Sequence, residues 1–300
     1  MRLATLLVQR RPLVALVSAE GDRFHPLAEA LPGLPEAAAR DMTAAIAHLA
    51  ESGARPAPSG PGQPLDPALL TAPLPRPPRN IFCVGKNYHA HAREFASSGY
   101  DSSAAGAADA IPAAPIIFSK PWTSISGPAA DIPLLPGLDG GVDYEAELAV
   151  IIGRGGRAIP KAQAMAHVFG YTVVNDVTAR DLQQTHKQWL LGKGIDGFCP
   201  MGPWIVTADA VEAGAMRVTC TVNGEPRQDA STADLIFDIP TLIETISRSM
   251  ALLPGDVIAT GTPEGVGIGF RPPRFLREGD VVECAISGIG RIRNTLRRVA

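Results

Sequence analysis

The chain has 300 residues, of which 46% are hydrophobic and 19% charged, with a formal net charge of -3 and a sequence pI near 6.1. That length predicts one large domain, or a large domain with a smaller attachment, and either can bury an ample core. The slight negative charge and the lack of Lys or Arg runs argue against nucleic acid or an anionic membrane as a partner.

The start of the chain and the cysteines predict a cytoplasmic protein. The first apolar stretch is interrupted at residues 9–12, and no stretch reaches the ~18 apolar residues that a membrane span needs. The four cysteines form no CxxC pair and show no dense spacing, so we interpret them as reduced thiols in the core.

The N-terminal quarter of the sequence predicts a small α/β domain. Residues 2–8 and 13–17 are β-prone on either side of a polar break, which predicts a hairpin, and the Ala-rich residues 36–50 predict a helix. Residues 54–79 contain nine prolines in 26 positions, a density that excludes a continuous helix or a central strand. We therefore predict one domain over residues 1–75 and a second over residues 76–300.

The remaining sequence predicts a β-rich α+β fold. From Asn80 onward, short β-prone runs alternate with Gly and Pro, and Asn223-Gly224 favours a type I′ hairpin turn. Asp238 and Pro240 predict the start of a helix that covers one face of a sheet.

Two further segments have a local signature. Thr178 and Asp181 resemble a capping box, which predicts a helix over about residues 179–189. Residues 97–114 are small, polar and low in complexity, so they cannot bury enough surface to fix one conformation, and we predict a mobile flap.

Three carboxylates form a candidate metal site. Strand alternation places Glu145 and Glu147 on one face, roughly 6.5 Å apart along the backbone, near enough to reach one cation. Asp176 ends a second apolar run and could supply a third acid. Such hard oxygen ligands suit Mg²⁺ or Mn²⁺. The spacing alone fits equally well with ordinary solvated acids on an exposed strand face.

Five sequence blocks follow one another between residues 80 and 298. They are IFCVGKNY (81–88) with His91 and Glu94, DYEAEL (143–148), FGYTVVNDVTARDLQ (169–183), WLLGK (189–193) and TGTPEGVG (260–267). Together they resemble the fumarylacetoacetate hydrolase superfamily, in the form of a bacterial-type member with an N-terminal domain. The resemblance implies a mixed β-sandwich roll, a homodimer, and a catalytic Mg²⁺, with Mn²⁺ or Ca²⁺ in some members, held by Glu145, Glu147 and Asp176.

The resemblance also implies roles for individual side chains. His91 and Glu94 would activate water, with Glu94 orienting the imidazole and neutral His91 taking the proton. Lys193 would be the second cationic partner beside the metal. Candidate substrate contacts are Lys120, Arg180, Gln183 and Thr262. The alternatives are a plain helix-surface pair for His91 and Glu94, and a solvated amine for either lysine.

The predicted substrate is a small-molecule 2-oxo acid that chelates the metal. The leading hypothesis is hydrolytic cleavage of a C–C bond in a 2,4-dioxo acid, such as an acylpyruvate, a fumarylacetoacetate-like acid or a diketo sugar acid, through a metal-bound enolate. Decarboxylation of oxaloacetate, or isomerisation or hydration of a 2-hydroxymuconate-type acid, could use the same site. A non-catalytic 2-oxo acid binding protein is a further alternative.

Overall fold

The computed structural model describes residues 1–58, 60–100, 110–138 and 140–299. The helices are α1 (Leu27–Ala30), α2 (Glu36–Arg40), α3 (Met42–Ser52), α4 (His89–Ser98), α5 (Arg180–His186), α6 (Leu190–Lys193) and α7 (Ile239–Ser249). The strands are β1 (Arg2–Val8), β2 (Arg11–Val17), β3 (Arg23–Pro26), β4 (Gln63–Pro64), β5 (Ile81–Gly85), β6 (Ile116–Lys120), β7 (Ile125–Ser126), β8 (Ile132–Leu134), β9 (Val142–Asp143), β10 (Ala146–Ile152), β11 (Val168–Asn175), β12 (Thr178–Ala179), β13 (Cys199–Thr207), β14 (Arg217–Val222), β15 (Glu225–Ser231), β16 (Val257–Ala259), β17 (Val281–Ile286) and β18 (Gly290–Arg298). The predicted β-rich α+β class is confirmed.

A mixed 11-stranded sheet combines the four N-terminal strands with strands from the later part of the chain. Its order is β4-β3-β2-β1-β13-β11-β10-β16-β5-β6, and β7 pairs with β13. The predicted N-terminal hairpin is confirmed, since β1 pairs with β2 in antiparallel fashion. Because β1 also pairs with β13, the hairpin continues the large sheet. The domain boundary near residue 75 stays a prediction.

A second sheet, in the order β15-β14-β17-β18-β8, packs against one face of the first. Leu148 and Val150 of β10 lie in the core between the sheets, together with Val218 of β14 and Ile292 of β18. The second sheet covers this face of β10, and the N-terminal helices cover the other face.

That other face of β10 is closed by α2 and α3. Ala149 and Ile151 share a hydrophobic cluster with Met42 and Ile46 of α3. The helical structure predicted over residues 36–50 is confirmed, but as two helices: Asp41 adopts an extended backbone between them and accepts a hydrogen bond from the Ala44 amide to begin α3. Asp41 is thus an N-cap inside the Ala-rich run.

The helix predicted after Asp238 is confirmed as α7. Asp238 accepts a hydrogen bond from the Thr241 amide at 2.9 Å, and Pro240 lies in the first turn. The predicted hairpin turn is also confirmed, because Asn223 and Gly224 have φ values of 53° and 81° between β14 and β15.

The capping box predicted at Thr178 is wrong. The Thr178 hydroxyl donates to the Asp176 carbonyl and accepts from the Lys193 ammonium, so it is not available to the amides of α5. The helix also ends early, because Lys187 has a φ of 57° and cannot continue it.

All four cysteines are buried free thiols, which confirms the prediction of reduced thiols in the core. Within the described residues, no helix has the length and apolar character to cross a membrane. The cytoplasmic location stays a prediction. Half of the predicted flap, residues 101–109, lies outside the described part of the chain, and its mobility stays a prediction.

Candidate active site

Three carboxylates converge where β10 begins and β11 ends. Glu145, Glu147 and Asp176 each place an oxygen within 4.8 Å of the other two. The register explains this, because Ala146 pairs with Asn175 and the Asp176 amide donates to the Glu145 carbonyl at 2.8 Å. The three acids are at most 5% exposed. Burial therefore excludes the alternative of solvated acids on an open strand face.

Lys193 connects two of these acids. Its ammonium donates to Glu145 Oε2 at 2.9 Å and to Asp176 Oδ2 at 2.7 Å, and it reaches the Thr178 hydroxyl at 2.8 Å. Lys193 ends α6, which folds back onto β12. The predicted proximity of Lys193 to the acids is thus present, although its catalytic role stays a prediction.

Arg180 is almost fully buried at the start of α5, where it contacts two acids. Its Nε donates to Asp143 Oδ2 at 2.9 Å, and its Nη2 lies 2.7 Å from Glu145 Oε1. Asp143 in turn accepts from the amides of Gly267 and Ile268. Arg180 therefore joins the acid cluster to the segment that follows β16.

The electrostatic balance differs between two of the acids. Burial opposes the ionisation of Glu145, but Lys193 and Arg180 outweigh it and lower its pKa to about 2. Burial raises the pKa of Glu147 well above its ordinary value, and the charges of Asp176 and Glu145 raise it further. In the described part of the chain, Glu147 contacts no cationic side chain and accepts only the Gly261 amide at 2.8 Å.

The acid cluster fits a divalent cation. Three hard oxygen ligands meet at one point, and the mutual repulsion that disfavours a charged Glu147 is the kind that a cation relieves. Glu145, Glu147 and Asp176 can therefore hold a divalent metal. The choice among Mg²⁺, Mn²⁺ and Ca²⁺ stays a prediction.

His91 and Glu94 form the predicted pair on one face of α4. His91 Nδ1 lies 3.1 Å from Glu94 Oε2, and His91 is 5% exposed. Glu94 Oε1 accepts from the Gly265 amide at 3.0 Å, so both of its oxygens have partners. A solvated helix-surface pair does not describe this arrangement, because the pair is packed against the 310 helix over Gly267–Gly269.

A pocket brings the predicted groups together. Its described lining includes His91, both glutamates of the acid cluster and Lys193. Of the predicted substrate contacts, Arg180, Gln183 and Thr262 also line it. Lys120 is not among those lining residues; its ammonium lies 2.7 Å from Asp176 Oδ1 and donates to the Val177 carbonyl.

Three residues near the pocket received no role from the sequence. Gln228 of β15 donates to the Thr262 hydroxyl and accepts from the Ala146 amide, so it fixes two site segments from the second sheet. Asp143 anchors Arg180, and Lys86 lines the pocket. Asp143 and Lys86 lie within the matching sequence blocks and could have been noticed there. Gln228 carried no signal, because its contacts depend on how the two sheets pack.

The sequence matches a known family over most of its length. The family model described as fumarylacetoacetate (FAA) hydrolase C-terminal matches residues 80–297. The chain belongs to the fumarylacetoacetate hydrolase family. This match includes every predicted site residue, and it confirms the family predicted from the five sequence blocks.

Relatives of this chain include two proteins that are named as oxaloacetate tautomerases. Oxaloacetate tautomerase YisK of Bacillus subtilis (strain 168) is 48% identical over 228 residues, which are 76% of this chain and 72% of that protein. The mitochondrial oxaloacetate tautomerase FAHD2A of Homo sapiens is 45% identical over 226 residues, which are 74% of this chain and 68% of that protein.

Solved structures share the whole architecture, which confirms the predicted roll with its N-terminal segment. A fumarylacetoacetate hydrolase (EaFAH) from the psychrophile Exiguobacterium antarcticum superimposes with a TM-score of 0.81 at 36% identity, covering 100% of both chains. A 5-carboxymethyl-2-hydroxymuconate delta-isomerase from Mycobacterium smegmatis gives a TM-score of 0.74 at 35% identity, again over 100% of both chains.

We predict that cation binding releases a proton from Glu147. A metal ligand must be ionised, whereas the raised pKa of Glu147 favours its protonated form. Mg²⁺ affinity should therefore fall as the pH drops below that pKa and recover as the pH rises. The buffer takes up the released proton, so the observed heat of Mg²⁺ binding includes the buffer's heat of protonation. Isothermal titration calorimetry in two buffers with different heats of protonation should therefore give two different heats of binding.

Glu147→Gln should abolish Mg²⁺ binding, while Glu264→Gln is the matched control because Glu264 is an exposed acid in a nearby loop. Equal heats in the two buffers, or an unchanged affinity in Glu147→Gln, would contradict the assignment of Glu147 as a metal ligand that loses a proton.

Proposed function

We propose that this enzyme interconverts the keto and enol forms of a short 2-oxo dicarboxylic acid, with oxaloacetate as its substrate. The observation that carries the proposal is that His91, which contacts Glu94, lines the same pocket as Glu145 and Glu147 of the buried acid cluster. The two relatives named as oxaloacetate tautomerases support the choice of substrate. This reaction differs from the hydrolysis, decarboxylation, isomerisation and hydration expected from the sequence.

His91 would move the proton. An ionised Glu94 accepts the Nδ1–H of His91, which leaves the lone pair on Nε2 to act as a base. In the keto form, His91 takes the proton from C3, the electron pair of the C3–H bond forms the C2–C3 double bond, and Nε2 of His91 then returns this proton to the keto oxygen. The reverse sequence returns the keto form, so no other reactant is consumed.

The acid cluster and its cations would bind the reacting end of the substrate. A divalent cation held by Glu145, Glu147 and Asp176 would supply Lewis-acid polarisation of the 2-oxo carboxylate. Lys193 keeps positive charge beside this position, and acidic neighbours raise its pKa above the ordinary value although burial opposes this. It therefore stays charged and favours the negative charge that develops on the keto oxygen.

Hydrolysis of a 2,4-dioxo acid is the second candidate. The same Nε2 lone pair could deprotonate a water molecule that attacks the distal ketone, after which the C–C bond breaks. The contact between His91 and Glu94 favours this reaction as directly as it favours tautomerisation. A structure that shares the whole architecture is named as a fumarylacetoacetate hydrolase.

We expect the Mg²⁺-loaded protein to accelerate the decay of the enol absorbance of oxaloacetate without release of carbon dioxide. His91→Ala should lower this rate by about 10²- to 10⁴-fold, because the proton-transfer group is lost. His89→Ala is the matched control, since His89 lies exposed at the start of the same helix. Absorbance with product analysis by mass spectrometry provides the measurement.

An acceleration that His91→Ala leaves unchanged would eliminate His91 as the proton carrier. If oxaloacetate is not turned over while acetylpyruvate is cleaved to two acids, the hydrolytic candidate replaces the tautomerase. Turnover of neither compound, with Mg²⁺ still bound, would reject both candidates.

Gly269→Ala should inactivate the enzyme without removing any ionisable group. A Cβ at Gly269 would lie 1.8 Å from Glu94 Oε1, so Glu94 must turn away and His91 loses its orientation. We expect about a 100-fold lower rate on oxaloacetate, as for other small displacements of catalytic groups. Gly214→Ala is the control, because Gly214 also lies in a three-residue 310 helix and has open space around it. Equal rates for the two variants would contradict the role of Glu94.

We also propose that the protein is a homodimer. Leu190 and Leu191 of α6 are 48% and 54% exposed, and a surface depression continues this apolar area past Leu135 to Val299. Soluble monomers rarely expose such a contiguous patch. Light scattering should give twice the 31.4 kDa chain mass, and Leu191→Glu should reduce it to one chain.

Leu7→Glu is the control for the dimer, since Leu7 is 48% exposed on β1. A 31.4 kDa particle for the unmodified protein would refute the dimer. A dimer that tolerates Leu191→Glu would place the interface elsewhere.

A further inference from the structure

Three aromatic side chains form one wall of the active-site pocket. Phe95, Phe118 and Trp189 all line it. The centre of the Trp189 ring lies 6.1 Å from that of Phe95 and 5.1 Å from that of Phe118, and it meets both rings edge to face. Edge-to-face contact is a favourable arrangement of aromatic rings. Trp189 is therefore held between its two neighbours.

The two ends of this aromatic wall reach the two groups that the proposed reaction needs. The Phe95 ring stacks on His91 at 6.1 Å, and the Lys193 ammonium lies 5.1 Å from the centre of the Phe118 ring. Lys193 in turn contacts Glu145 and Asp176 of the acid cluster. The wall thus runs from the proton-transfer pair to the acid cluster, and Trp189 is its middle member.

The backbone and the ring of Trp189 have separate roles. Its carbonyl accepts from the amides of Gly192 and Lys193, so its backbone begins the helix that carries Lys193. Its ring packs against β5, where a Cβ at Gly85 would lie 2.5 Å from it. Trp189 is only 8% exposed, so the ring is enclosed by the wall. A smaller side chain at this position would enlarge the pocket and leave the backbone contacts of α6 in place.

The space that the wall leaves is small. The pocket has a volume of about 20 Å³, far below the roughly 300 to 1,000 Å³ of pockets for larger ligands. Each further methylene of a long ligand would meet a packed ring, and packed side chains accept added volume only at a cost. The pocket therefore suits a short acid, and a longer one requires the wall to move.

We propose that Trp189 limits the length of the 2-oxo acids that this pocket binds. The 2-oxo carboxylate end occupies the acid cluster and C3 lies beside His91, so the carbons beyond C3 point along the wall towards the indole ring. A four-carbon acid ends before the ring, whereas a longer chain collides with it. This inference rests on the proposed function for the kind of ligand.

Calorimetry with the Mg²⁺-loaded protein measures this limit without turnover. The probes are straight-chain 2-oxo acids of three to eight carbons, from pyruvate to 2-oxooctanoate, which differ only in the number of methylenes. The affinity of the unmodified protein should fall by about 10- to 100-fold between the four-carbon and the six-carbon acid, because the added volume meets the ring. Trp189→Leu should remove this fall, and each methylene that becomes buried should raise the affinity by up to about fourfold.

A second variant and a control keep the test independent of folding defects. Trp189→Phe is a smaller change, which should shift the limit by less and remains the test if Trp189→Leu does not fold. Mg²⁺ affinity should be unchanged in both variants, because the backbone that begins α6 is retained. Trp122→Leu is the matched control: Trp122 is 40% exposed, packs against Arg76 and is not among the described residues that line the pocket.

The outcomes distinguish this inference from the proposed reaction. A length limit that moves in Trp189→Leu or Trp189→Phe, and not in Trp122→Leu, supports the role of Trp189 even if oxaloacetate is not tautomerised, in which case the proposed reaction fails alone. A limit that stays in place in both Trp189 variants overturns this role. Equal affinity of the unmodified protein for all the acids, or binding of none of them, overturns it as well, whatever the turnover of oxaloacetate. Loss of Mg²⁺ affinity in both variants would show that the ring supports the acid cluster and does not set ligand length.

Discussion

The repulsion among three buried carboxylates is the constraint on which the rest of the site depends. Glu145, Glu147 and Asp176 lie within reach of one ion and out of water, so their negative charge must be compensated inside the protein. Lys193 and Arg180 provide part of this compensation and thereby fix α6 and the start of α5. The negative charge that these cations do not compensate lies mainly at Glu147, and a divalent cation is best accommodated there.

One glycine-rich segment links the acid cluster to the proton-transfer pair. The amide of Gly261 donates to Glu147, the amide of Gly265 donates to Glu94, and two amides beyond them donate to Asp143. Gly261 and Gly265 have φ values of 102° and 96°, which side chains with a Cβ rarely adopt. A shift of this segment would therefore displace a metal ligand and the partner of His91 together.

The sequence predicted the parts of the fold and the site that local patterns encode. Alternation identified Glu145 and Glu147, and the order of five blocks identified the family. It failed where tertiary contacts override a local pattern. Thr178 resembled a helix cap, yet its hydroxyl serves Lys193, and Gln228 reaches the site only because a second sheet packs on the first. No periodicity in the sequence encodes the distance between two sheets.

Tautomerisation and hydrolysis require the same base, His91. They differ in whether that base lies next to a carbon of the substrate or next to a water molecule. In a tautomerase, His91 must meet the carbon of the substrate and water must be kept away, whereas a hydrolase needs room for one ordered water between them. A substrate held at both ends brings its central carbon to the imidazole and leaves less space for water. A longer dioxo acid places its distal ketone further along the pocket. Both proposed reactions use the acid cluster in the same way, so the group that faces Nε2 of His91, a substrate carbon or a water molecule, is what separates a tautomerase from a hydrolase.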